Sequence, residues 1–92
     1  MFRMVRYLDK HLRGHIDFGT FHLIAVIPRF GKDAVVLLVP RDLRENNHFN
    51  LQCGTTSLWY SSLDNMLTAA REYYGITPYQ AWRCRRRYAA LQ

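Results

Sequence analysis

The chain is 92 residues long, 49% hydrophobic and 22% charged, a balance that excludes a disordered polar tail and predicts one globular domain over residues 1–92 with one modest core. Its formal net charge of +6 excludes imitation of an acidic polymer and favours an acidic partner, nucleic acid first and an acidic protein groove next. The excess sits at the two ends: residues 1–14 carry +3, residues 78–92 carry +4, and the stretch between them carries −1.

Residues 2–13 fit an amphipathic helix. Val5, Leu8 and Leu12 fall on one side, while Arg3, Arg6, Lys10 and Arg13 recur at spacings of three and four on the other. Gly14 is a natural stop, and His15–Thr20 reads as a connection. Phe21–Pro40 then organises the chain. The runs FHLIAVI and AVVLLVP are apolar and rich in β-branched residues, and PRFGKD between them holds Pro28, Gly31 and Asp33. They predict an antiparallel hairpin. In its first strand Phe21, Leu23, Ala25 and Ile27 are expected on one face, and His22, Ile24 and Val26 on the other. In its second strand Val35, Leu37 and Val39 oppose Val36 and Leu38. A hairpin apolar on both faces needs cover on both.

RDLRENN is polar and turn-like. His48–Cys53 then alternates, which predicts a third strand with Phe49, Leu51 and Cys53 inward and His48, Asn50 and Gln52 toward water. Gly54–Ser57 reads as a loop. Ser61 or Ser62 caps a helix that runs to Tyr74, with Leu63, Met66, Leu67, Ala70 and Tyr74 as its apolar stripe and Gly75 as its end. Thr77-Pro78-Tyr79-Gln80 starts another, with Thr77 as N-cap, Pro78 at the first helical position and Gln80 closing a capping box. This last helix is expected to reach about Ala90, with Ala81, Cys84, Tyr88 and Leu91 on its inner face. The fold class is α+β: a small antiparallel sheet of about three strands, in the order α-β-β-β-α-α, packed by helices.

Chemistry-bearing residues concentrate on the outer face of the last helix. Tyr79, Trp82, Arg83, Arg86 and Arg87 set flat rings beside guanidinium groups. Arginine grips phosphate in a two-toothed geometry, and aromatic rings stack on unpaired bases. The same residues suit a protein hot spot, and they also suit a solvated helix end whose arginines answer the helix dipole. Arg3, Arg6, Lys10 and Arg13 form a second candidate, a cationic row able to follow an RNA or DNA backbone or simply to face solvent. Enzyme constellations are weak. His11 and His15 are interrupted by Gly14, and no glycine-rich phosphate loop or nucleophile elbow occurs. Cys84 lies among arginines that would favour a thiolate, but its place on the inner stripe marks it as a buried thiol. No enzyme activity, metal or cofactor is expected. Two cysteines without a C-x-x-C motif suggest reduced thiols in a cytoplasmic protein, with one disulfide as the alternative. The polar first residues and the absence of a long apolar run argue against a secretion signal and against a membrane partner.

Two resemblances follow from these residues. Gly75, Thr77, Pro78, Trp82 and Arg83 are similar to the closing helix of arabinose-operon-type transcription regulators, where Gly-x-Thr/Ser-Pro precedes an aromatic and an arginine. The family's aromatic would fall at Ala81, and the likeness extends no further than the capping chemistry. In length, α+β build and dense Tyr/Trp/Arg surface, the whole chain resembles the small phage-encoded anti-CRISPR proteins, without a shared motif. That resemblance implies a non-enzymatic inhibitor, monomeric or dimeric, in the bacterial host cytoplasm. Its partner would be a ribonucleoprotein, an RNA-guided surveillance complex, bound through protein and guide-RNA or DNA-path contacts so that target DNA is blocked. The alternative is a stand-alone nucleic-acid-binding regulator that uses the C-terminal helix pair.

Overall fold

The computed structural model describes residues 21–42 and 48–91. The basic helix expected over residues 2–13, with Arg3, Arg6, Lys10 and Arg13, lies outside the described residues, as do His11 and His15. The described chain runs β1 (Phe21–Arg29), β2 (Lys32–Pro40), β3 (Phe49–Cys53), β4 (Thr56–Tyr60), α1 (Leu63–Tyr74) and α2 (Pro78–Leu91). The four strands form one antiparallel sheet in sequence order, β1-β2-β3-β4. This is the expected α+β build with one more strand.

The added strand comes from a correction to the Gly54–Ser57 loop. Only Gly54 and Thr55 turn, and Thr56–Tyr60 returns along β3 with Leu58 opposite Leu51 and Trp59 opposite Asn50. Gly54 has φ +60°, a left-handed backbone that glycine adopts without strain and that closes this two-residue turn. The β4 segment TSLWY has a short, mostly polar start, which hid it among turn residues.

Alternation in β2 is as expected. Val35, Leu37 and Val39 belong to the main core, and Val36 and Leu38 to a second cluster on the opposite face. In β1 the alternation breaks. Leu23 pairs with Leu38 but Ala25 pairs with Leu37, so Ile24 is an extra residue in the strand. This bulge flips the facing. Phe21 and Leu23 join Val36 and Leu38 on the second face, whereas Ile24, Ala25 and Ile27 turn to the main core. The expected grouping of Phe21 and Leu23 with Ala25 and Ile27 is therefore corrected. Pro28 lies at a second register shift of the same strand, where the missing N–H breaks no regular ladder.

Both helices cover one sheet face. α1 buries Leu63, Met66, Leu67, Ala69 and Ala70, and α2 buries Ala81 and Cys84. Ser62 is the α1 N-cap, its Oγ accepting the Asn65 N–H at 3.0 Å. At the other end Gly75 adopts φ +67° and its N–H donates to the Arg71 carbonyl at 3.1 Å. Leu91, expected inside, is exposed. Asn50 and Gln52 are also corrected: both are buried, not solvent-facing. They share the second face with Val36 and Leu38, and their amide groups donate to Ser57 Oγ at 3.1 and 3.3 Å. Asn50 Nδ2 also donates to the Leu58 carbonyl at 3.2 Å.

Leu37 is fully buried at the centre of this arrangement. Leu37→Ala is expected to cost about 2–5 kcal/mol in urea unfolding through lost burial and the cavity left behind. Gly54→Ala is expected to cost about 1–2 kcal/mol from its left-handed backbone alone. A cost at Leu37 no larger than at Gly54 would contradict the placement of the core.

Candidate nucleic-acid interface

The capping box sets the phase of α2. The Thr77 N–H donates to Gln80 Oε1 at 2.8 Å, and the Gln80 N–H donates to Thr77 Oγ1 at 3.0 Å. From that start, Ala81 and Cys84 fall against the sheet. Tyr88, half-buried, meets Phe49 edge to face at 5.8 Å between ring centres. The opposite side must then carry Tyr79, Trp82 and Arg86.

These three form a continuous ladder. The Tyr79 and Trp82 rings lie 5.8 Å apart at 30°, and the Arg86 guanidinium carbon sits 5.1 Å from the centre of the Trp82 ring. Spacings of three and four residues make the contacts possible. Tyr79 is 62% and Trp82 49% exposed. Trp82 is therefore part of the surface, with a cation stacked on its ring.

The arginines of this helix divide by role. Arg86 belongs to the ladder. Arg83 is exposed and has no ion-pair or hydrogen-bond partner among the described residues. Arg85 bonds Asp64 at the start of α1, with its Nε at 3.1 Å and its Nη2 at 3.0 Å from Oδ1. Both side chains are largely solvated, so the pair adds little stability. Arg87, grouped by its spacing with the outer face, turns toward β1, where its Nη1 donates to the Ile24 carbonyl at 2.6 Å. The structure thus brings Tyr79, Trp82, Arg83 and Arg86 onto one side and sends Arg87 to the strand edge beside them.

Between β1 and α2 lies a groove of about 270 Å³. Ile24, Ala25, Val26, Ile27 and Pro28 line it from the strand, and Gln80, Arg83, Cys84 and Arg87 from the helix. No sequence signal pointed to it, because it depends on the bulge that draws Ile24 and Ala25 to the same side. At the far end of the hairpin, Phe30 stands fully exposed, and Arg29 stacks on Tyr74 at 5.3 Å.

Cys84 shows how burial and charge compete. Loss of water pushes its thiol above the ordinary value of 9.0, against the pull of Arg87, Arg83 and Arg85 toward the thiolate. Burial likewise leads the upward shifts of Tyr60 and Tyr74. Cys53 is buried too, accepting from Arg29 Nη2 at 3.2 Å, and neither cysteine is in a disulfide. Among the described residues no three His, Cys, Asp or Glu side chains come together as a metal site, and no helix is long and apolar enough to cross a membrane.

No protein-family model, curated protein or solved structure matches the chain.

The native fold keeps the Cys84 and tyrosine protons to higher pH than the unfolded chain does. Their contribution to stability is therefore complete below pH 9.0 and is lost as pH rises above it. The melting temperature should fall between pH 9 and 11, and a rise across that window would contradict the assignment. Iodoacetamide at pH 8 should modify Cys84 at least about tenfold more slowly in the native protein than in urea, because the reactive thiolate is disfavoured and covered. Faster native labelling would mean that the arginines prevail.

Proposed function

We propose that this protein is a small non-enzymatic inhibitor that binds a ribonucleoprotein, an RNA-guided surveillance complex of the bacterial cytoplasm, and blocks its access to target DNA. The observation that carries this reading is the exposed Tyr79–Trp82–Arg86 ladder, with Arg83 at its side unpaired among the described residues. A tryptophan half in water beneath a stacked guanidinium is costly surface for a helix that needs neither group to fold. Exposed nucleic acid uses both: its bases stack on aromatic faces, and its phosphates take the arginine fork. A protein groove on the same complex uses them as well, since Trp, Tyr and Arg dominate hot spots. Guide RNA is an anionic partner, which suits a basic chain of +6 that cannot act by imitating DNA.

A stand-alone duplex-binding regulator working through the helix pair is the competing reading. In this fold α1 spends its apolar face on the sheet, and α2 has the sheet beneath it. The helices are layers on a sheet and not the freely projecting pair that enters a major groove.

A pull-down from native host lysate, divided into nuclease-treated and untreated halves and analysed by mass, tests the proposal. A multi-protein complex retained through nuclease treatment is the expected result. Capture of nucleic acid alone, lost on treatment, would overturn it in favour of the regulator. The double variant Trp82→Ala, Arg86→Ala should retain its melting temperature within about 2 °C, as expected for solvent-facing changes. It should lose at least tenfold in complex affinity, of the order seen when a hot-spot aromatic is truncated. Full affinity in that variant would remove the ladder from the interface.

A further inference from the structure

We infer that the groove between β1 and α2 is a subsite for one unstacked nucleotide of the single strand that the α2 ladder engages. The inference rests on the nucleic-acid part of the reading above and specifies a second site of contact for it.

The composition of the groove selects the ligand. Its floor is aliphatic, from Ile24, Ala25, Ile27 and Pro28, and offers an apolar bed for the face of a base. Its rim carries Arg83 and Arg87, and no acidic residue lines it among the described residues. An apolar floor under two cations fits a molecule that is flat and uncharged at one end and anionic at the other. At about 270 Å³ the space falls just below the ~300–1,000 Å³ of drug-sized sites, which suits a single nucleotide and not a stretch of several.

Arg87 is pre-positioned for this role. One of its guanidinium N–H groups is held by the Ile24 carbonyl at 2.6 Å, and a guanidinium has five donors. The bond fixes the plane of the group at the mouth of the groove and leaves the other donors for a phosphate. Arg83 faces the same opening from one helical turn earlier and has no competing partner among the described residues. It lies four residues after Tyr79 and three before Arg86, so groove and ladder share one margin of α2. A strand whose base stacks on the ladder could place its next base in the groove with a phosphate between Arg83 and Arg87. The edge of β1 has no strand partner on that side among the described residues, which leaves backbone groups for the polar rim of a base.

The test is a titration of the ¹⁵N-labelled full chain with uridine 5′-monophosphate, followed by amide chemical shifts, with ribose 5-phosphate and inorganic phosphate as controls. Saturable shifts confined to residues 24–27 and 80–87 are expected, with ribose 5-phosphate at least about tenfold weaker because it lacks the base. Ala25→Phe should fill the floor and abolish the shifts while the protein remains folded. Arg83→Ala, an exposed change, should weaken binding about tenfold and keeps the test decisive if the Phe variant unfolds. Absence of shifts at the groove would overturn the inference. Equal binding of ribose 5-phosphate or phosphate would overturn it too, by reducing the groove to an anion site. Because the titration contains no ribonucleoprotein, a negative pull-down and an empty groove are separate results.

Discussion

The extra residue at Ile24 is the constraint on which the arrangement depends. A regular β1 would divide its apolar residues evenly between the two faces of the sheet, which is how the alternation of FHLIAVI reads. With Ile24 inserted, Phe21 and Leu23 serve one face, and Ile24, Ala25 and Ile27 serve the other. Two adjacent side chains then meet the helices together, and the strand edge is broken at the point where α2 passes. The Arg87 bond to the Ile24 carbonyl answers that irregularity by giving a carbonyl a charged donor. β1, nine residues long, is an edge strand among the described residues, and such an edge is an invitation to pair with another chain. The bulge, Pro28 and Arg87 each make this edge a poor template for one.

Cation placement follows from the same geometry. Four arginines within five residues look in sequence like a single positive patch. The helix distributes them around its circumference, and their neighbours then assign their work. Arg85 reaches Asp64 on α1, Arg87 reaches β1, and Arg86 lies on Trp82. Net charge measured along the chain therefore overstates what a partner meets on any one face. The aromatic partner matters more than the charge, because it fixes where one cation sits and gives the surface a shape.

How much of this was readable beforehand depended on the range of the interaction. The capping box at Thr77 and Gln80, the Ser62 cap and the Gly75 stop are settled within a few residues, and each was visible. The β1–β2 hairpin was visible because its turn signals and β-branched runs are local as well. The strand β4 was not, since its identity comes from pairing with β3 and not from its own composition. Asn50 and Gln52 were read as facing water because polarity usually means exposure. Their burial is tolerated because Ser57 on the neighbouring strand takes an amide proton from each. The ladder residues Tyr79, Trp82 and Arg86 were found from helical spacing alone. The Arg87 bond to β1 was not legible, because its partner is a backbone carbonyl sixty-three residues away.

The second sheet face completes the contrast between structural and available chemistry. Asn50 and Gln52 donate across it to β4, while the buried Asn50 Oδ1 has no hydrogen-bond partner among the described residues, and the Trp59 ring lies 5.9 Å from Phe21 and 6.2 Å from His48. Trp59 and Trp82 are equally exposed, at 49% each. Trp59, however, contacts rings on its own face, whereas Trp82 is flanked by Tyr79 and capped by a cation. A ring with aromatic neighbours on its own sheet face satisfies a packing need of the fold. A ring with a guanidinium above it and an aromatic beside it, on a helix whose inner face is already complete, adds nothing to the core and orders three side chains in water. Ordering them costs conformational entropy, and a partner that finds them already ordered does not bear that cost on binding.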